Sequence, residues 1–61
     1  MRSKEDIEEQ LNHEREILAE YIAKREKYLA EYNEFAFKVM IDGANKQLAK
    51  IEALEWVLNN G

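Results

Sequence analysis

Few side chains in this sequence could do chemistry, and their spacing decides what kind. The single histidine, His13, shares a helical ridge with Glu9, Glu16 and Glu20, an oxygen and imidazole set that could hold a divalent cation. A di-iron carboxylate bundle would need a Glu three residues before the His, on a core-facing side. Position 10 is Gln10 and His13 lies off the apolar sector. The ridge therefore reads as solvated, and no metal ligand is expected. Glu14 and Arg25 fall near the centre of the apolar sector, three helical turns apart. Either both keep their charges wet with their stems packed, or Glu14 of one chain pairs with Arg25 of another and sets the register of an antiparallel interface. Tyr21, Tyr28 and Tyr32 form an aromatic line continued by Phe35. Such a line can anchor a partner or stack bases; the preferred reading is that it borders the core with hydroxyls at water. No nucleophile–base pair, glycine-rich phosphate loop or zinc spacing accompanies these residues, so no enzyme and no cofactor are expected.

The elements that position them follow from composition. The chain has 61 residues, 46% hydrophobic and 36% charged, with two Gly, no Pro and no Cys. That length allows one domain, and near 60 residues a lone core is marginal without disulfides, metal or a partner. High charge with scarce Gly and Pro points to long helices. The residues from Met1 to Asp6 lack the apolar stretch of a signal peptide. The longest unbroken apolar runs, such as Val39-Met40-Ile41, are far short of the ~20 residues of a membrane span. A cytoplasmic location is expected. The net charge of −4 disfavours nucleic acid and anionic membranes as partners.

Ser3 reads as an N-cap with Asp6 three residues on, close to a capping box. Glu5, Asp6, Glu8 and Glu9 favour the positive end of the helix dipole. Ile7, Leu11, Leu18, Tyr21, Ile22, Tyr28, Leu29, Tyr32, Phe35, Ala36 and Val39 then recur within a sector about 140° wide. The spacing predicts one helix over about 4–41, ~57 Å long. The apolar phase shifts at Asp42-Gly43 and resumes at Ala44, Leu48, Ile51, Leu54 and Leu58, which predicts a turn there and a second helix over about 44–59. One continuous helix is the rival, since an internal Gly costs only ~1 kcal/mol relative to Ala. Phe37 and Ile41 deviate from the stripe and are assigned to the turn and the second helix. The expected fold is an all-α two-helix hairpin.

With such unequal helices, Ile7, Leu11, Ile17, Leu18, Tyr21 and Ile22 would find nothing to touch in the same chain. Each buried side chain of this size contributes ~1.5–3 kcal/mol, so a partner is expected. Ala49, Ala53, Trp56 and Val57 give the second helix a further apolar side. A homodimer with antiparallel long helices is the simplest answer, a tetramer the next. Residues 5–20 carry seven acids against Arg15 alone, whereas 24–38 carry four bases against three acids, which favours antiparallel over parallel. The expected interface residues are Ile7, Leu11, Glu14, Leu18, Tyr21, Ile22, Arg25, Tyr28, Leu29, Tyr32 and Trp56.

The tail Ile51-Glu52-Ala53-Leu54-Glu55-Trp56-Val57-Leu58 resembles the closing helix of small phage- or prophage-type helical proteins of unassigned function. The resemblance spans eight residues, implies a helical hairpin and supplies no active residue. The short helical phosphatases of sporulation signalling carry a Ser-Gln-Glu-Leu-Asp motif that Asn45-Lys46-Gln47-Leu48-Ala49 does not reproduce. The function expected is protein–protein interaction: an oligomerisation module or a small regulator docking on a larger protein. A second class is an acidic inhibitor that occupies a basic nucleic-acid groove through Glu8, Glu9, Glu16 and Glu20. A third is an RNA-binding bundle, which requires Lys24, Lys27, Lys38, Lys46 and Lys50 to converge.

Overall fold

A computed structural model describes residues 3–60 of the chain. Two helices, α1 (Lys4–Ala30) and α2 (Glu34–Asn60), each of 27 residues, pack side by side as a hairpin of 45 × 15 × 14 Å. The all-helical hairpin is as the apolar periodicity predicts. Ser3 caps α1 as expected: its hydroxyl accepts from the Asp6 amide at 3.2 Å, with Glu5 and Asp6 in the first turn. Asn60 closes the described part of α2; Gly61, which the sequence reading also placed at that end, lies outside the described residues, as do Met1 and Arg2.

The helix boundaries correct the sequence reading. The chain turns at residues 31–33, not at Asp42-Gly43, so the first helix stops at Ala30 rather than near 41 and the second begins at Glu34 rather than 44. The turn is built from backbone geometry without glycine or proline. Tyr32 adopts a left-handed conformation, φ 57°. Its amide donates to the Leu29 carbonyl at 3.1 Å, and the Asn33 amide donates to the Tyr28 carbonyl at 3.0 Å. These two bonds make a Schellman motif that satisfies the last carbonyls of α1. Asn33 then starts α2: its side-chain oxygen accepts from the Ala36 amide at 3.1 Å and its carbonyl from the Phe37 amide at 3.0 Å. One residue thus closes one helix and opens the next.

A non-glycine residue in the left-handed region costs roughly 1–2 kcal/mol, and Tyr32, 92% exposed, gains no packing in return. Tyr32→Gly is therefore expected to raise stability by ~0.5–1 kcal/mol, once the greater freedom of glycine in the unfolded chain is subtracted. Urea unfolding followed by circular dichroism measures it; a loss of stability would show that the Tyr32 side chain is held by something outside the hairpin.

Gly43 sits inside α2 for a packing reason. The Tyr21 ring of α1 lies against its backbone, so that a Cβ at position 43 would stand 2.5 Å from Tyr21 Cε1 and 2.9 Å from Cζ. What reads in sequence as a helix stop is the hollow that receives a ring from the neighbouring helix.

Equal helices also correct the expected shortage of intrachain contacts along α1. Leu11 is 5% exposed, Ile7, Ile17, Leu18 and Tyr21 are half-buried, and of the six only Ile22 is exposed. The core remains thin. Among the described residues its buried apolar members are Leu11, Ala44 and Ile51, joined by one buried polar side chain, Gln47.

Candidate protein-interaction surface

Two contacts fix how the helices present their sides. On one flank Tyr21 rests on Gly43. On the other, Arg15 reaches Glu55 at 3.7 Å. Arg15, Ile22 and Leu29 recur every seven residues on α1, and Ile41, Leu48 and Glu55 do so on α2, so each set runs along one side of its helix. The Arg15–Glu55 bridge brings the two lines onto one flank of the hairpin. Three of their apolar members are exposed: Ile22 at 38%, Leu29 at 55% and Leu48 at 43%. The bridge itself joins two well-exposed side chains and is worth under ~1 kcal/mol.

The residues expected to form an interface are dispersed. Leu11 and Leu18, seven apart, border the Arg15–Glu55 flank together with Ile22 and Leu29. Tyr21 belongs to the opposite flank, and Tyr28, seven residues on, follows it; both are half-buried. Ile7 is half-buried near the open end of the hairpin. Tyr32 stands at the turn and Trp56, 66% exposed, near the other end.

Glu14 and Arg25 have neighbours within the chain. The buried Gln47 amide nitrogen donates to the Glu14 carbonyl oxygen at 2.9 Å and also to the Glu14 carboxylate. Arg25 bonds its neighbour Glu26 at 3.2 Å. Sequence reasoning missed Gln47. Its signal was available: a neutral polar residue at the centre of the α2 stripe, between Ala44 and Ile51, facing a carboxylate equally central on α1.

Two shallow depressions lie among the described residues. A depression of about 150 Å³ beside the turn is lined by Tyr28, Leu29, Tyr32, Asn33, Glu34 and Phe37, and another of about 140 Å³ by Ile17, Glu20, Tyr21 and Lys24. Ligand pockets run to ~300–1,000 Å³. His13, Glu9, Glu16 and Glu20 are exposed, and no group of three or more potential metal ligands gathers among the described residues. No helix is long and apolar enough to cross a membrane among those residues. Of the five lysines that an RNA-binding face would need, Lys24, Lys46 and Lys50 follow Tyr21 and Gly43 by three or seven residues and share their flank. Lys27 and Lys38 lie more than ~100° round their helices from it.

Comparison with known protein families, with curated proteins and with solved structures finds no match for this chain.

Proposed function

We propose that this chain is a non-enzymatic interaction module that works by self-association, its simplest assembly being a homodimer that forms a four-helix bundle. The observation that carries the reading is the exposed line of Ile22, Leu29 and Leu48 beside a core of three buried apolar residues. Two helices alone make a single layer with no second one to close it, and pairing two hairpins supplies that layer. Covering one such side chain contributes up to ~1.5–3 kcal/mol, a large fraction of the stability a 61-residue chain can reach on its own.

Dimerisation linked to folding makes the melting temperature depend on protein concentration. The melting temperature is therefore expected to rise several degrees between ~5 and ~500 μM. Ile22→Glu combined with Leu29→Glu should abolish that dependence while keeping the circular-dichroism spectrum helical at low temperature. A concentration-independent melt in the unaltered chain would contradict the proposal.

A second reading, an acidic inhibitor of a basic groove, is favoured by the outward display of Glu8, Glu9, Glu16 and Glu20, all exposed on α1. It requires salt-sensitive binding to a basic protein that is lost when these four are changed to Gln. Chromatography on an immobilised basic protein, with and without the four changes, separates the two readings.

A further inference from the structure

The exposed flank carries a pattern that specifies how two copies meet. Along α1 the flank reads Arg15, Leu18, Ile22, Glu26, Leu29, with Leu11 turned into the core at 5% exposed. Laid antiparallel on an identical helix and centred near residue 20, its middle matches itself: Leu18 meets Ile22, and Arg15 comes opposite Glu26 to within one residue. Along α2 the apolar flank residues Ile41 and Leu48 match each other about a centre between 44 and 45. These two centres need not have anything to do with one another. The fold aligns them: Tyr21 seated on Gly43 sets residue 20 level with residue 44. One two-fold axis, perpendicular to the helices at that level, therefore serves both pairs.

We propose that a second copy of this chain covers the Arg15–Glu55 flank through that axis, with α1 on α1, α2 on α2 and the two turns at opposite ends. The inference rests on the self-association reading and adds its surface, register and orientation. Isologous contact demands a self-complementary patch, and this one opposes apolar to apolar and brings Arg15 near Glu26, each of which also keeps a partner in its own chain, Glu55 and Arg25. Glu34 of one copy falls near Glu55 of the other, whose charge Arg15 already offsets at 3.7 Å. The overlap runs the ~33 Å between the two turns, so at the 15 Å width of the hairpin it projects on the order of 500 Å², a small contact beside the ~800 Å² per partner of a standard interface. Glu14, Glu16 and Glu20 of one α1 then run beside Lys24, Arg25 and Lys27 of the other. Glu14 and Arg25 have no part in the cross-chain pairing, which passes to Arg15 and Glu26.

Because the chain has no cysteine, a single introduced one is a clean attachment point for a nitroxide. Two labelled proteins, Ala19→Cys beside the axis and Glu31→Cys at the turn, are compared by double electron–electron resonance at high protein concentration. The expected separations are under ~20 Å for the first and ~30–35 Å for the second, the latter being twice the rise of eleven helical residues. Short separations at both positions would mean a parallel pair. A long separation at Ala19→Cys with a short one at Glu31→Cys would mean contact through the turns. Either result overturns this inference while leaving self-association standing. No dipolar coupling at either position overturns both.

Discussion

Exchanging Gln47 for Glu is expected to unfold the hairpin at neutral pH, a loss of about 3 kcal/mol. Gln47 is 4% exposed, and its amide nitrogen donates to both the backbone carbonyl and the carboxylate of Glu14. The exchange keeps the side chain's shape and turns its donor into an anion facing an anion. A buried charge without a partner costs roughly 3–5 kcal/mol, discounted here because Glu14 is half-buried and can swing towards water. Stability should return in acid, once protonation of one carboxyl restores a donor to the pair. Gln47→Leu separates charge from bonding: it removes the donor without adding an anion, and the expected loss is ~1–2 kcal/mol. Urea unfolding of both variants at matched concentration, at pH 7 and near pH 3, measures the effects. A variant with Glu at 47 as stable as the unaltered chain at pH 7 would show that the Gln47–Glu14 contact does not hold the helices in register.

The second large effect is a reversal of sign at Gly43. Glycine to alanine inside an exposed stretch of helix ordinarily stabilises by ~1 kcal/mol, because alanine loses less backbone freedom on folding. Here the new methyl would meet three ring atoms of Tyr21 within 3.0 Å, closer than van der Waals contact permits. The Tyr21 ring must leave its seat on α2 to admit the methyl. Overpacking of this kind costs ~1–3 kcal/mol, so Gly43→Ala is expected to destabilise by up to ~2 kcal/mol after the gain in propensity. In a Tyr21→Ala background the obstruction is gone, and Gly43→Ala should stabilise by up to ~1 kcal/mol. The double-mutant cycle reads the coupling directly. If Gly43→Ala stabilises both backgrounds equally, the glycine has no packing role.

Gly43 and Tyr32 together explain which parts of the fold are legible in the sequence. The helical class, the Ser3 cap and most of the α1 stripe follow from spacing and end chemistry, both local. The turn does not. Where a glycine or proline is the usual marker, this chain places Tyr32 in the left-handed region and lets Asn33 serve both helix ends. The chain's internal glycine lies ten residues further on, for a contact with a residue twenty-two positions away. A local reading assigns the glycine to the turn because no local signal records a ring arriving from the other helix. A trace was present in Phe37 and Ile41, which sit off the α1 stripe yet are half-buried on α2. Tyr32, Phe35 and Val39, which complete the stripe on paper, stand exposed at 92%, 81% and 46%. Their phase continues that of α1 only if the helix continues, and it ends at Ala30.

The same shift relocates the reason to expect a partner. A long helix with an uncovered first half would have forced assembly through Ile7, Leu11 and Ile17. In the hairpin these residues are buried or half-buried, and Ile22, Leu29 and Leu48 line up exposed along one flank between the helices. The proposed dimer keeps the antiparallel sense expected from the sequence, resting on Leu18 against Ile22 and Arg15 against Glu26 as well as on the skew of charge.

Sedimentation equilibrium of the unaltered chain over ~10 to ~500 μM tests self-association most directly. A mass rising to twice 7.2 kDa, about 14 kDa, is the result the account predicts. A mass that stays at 7.2 kDa across that range would contradict it.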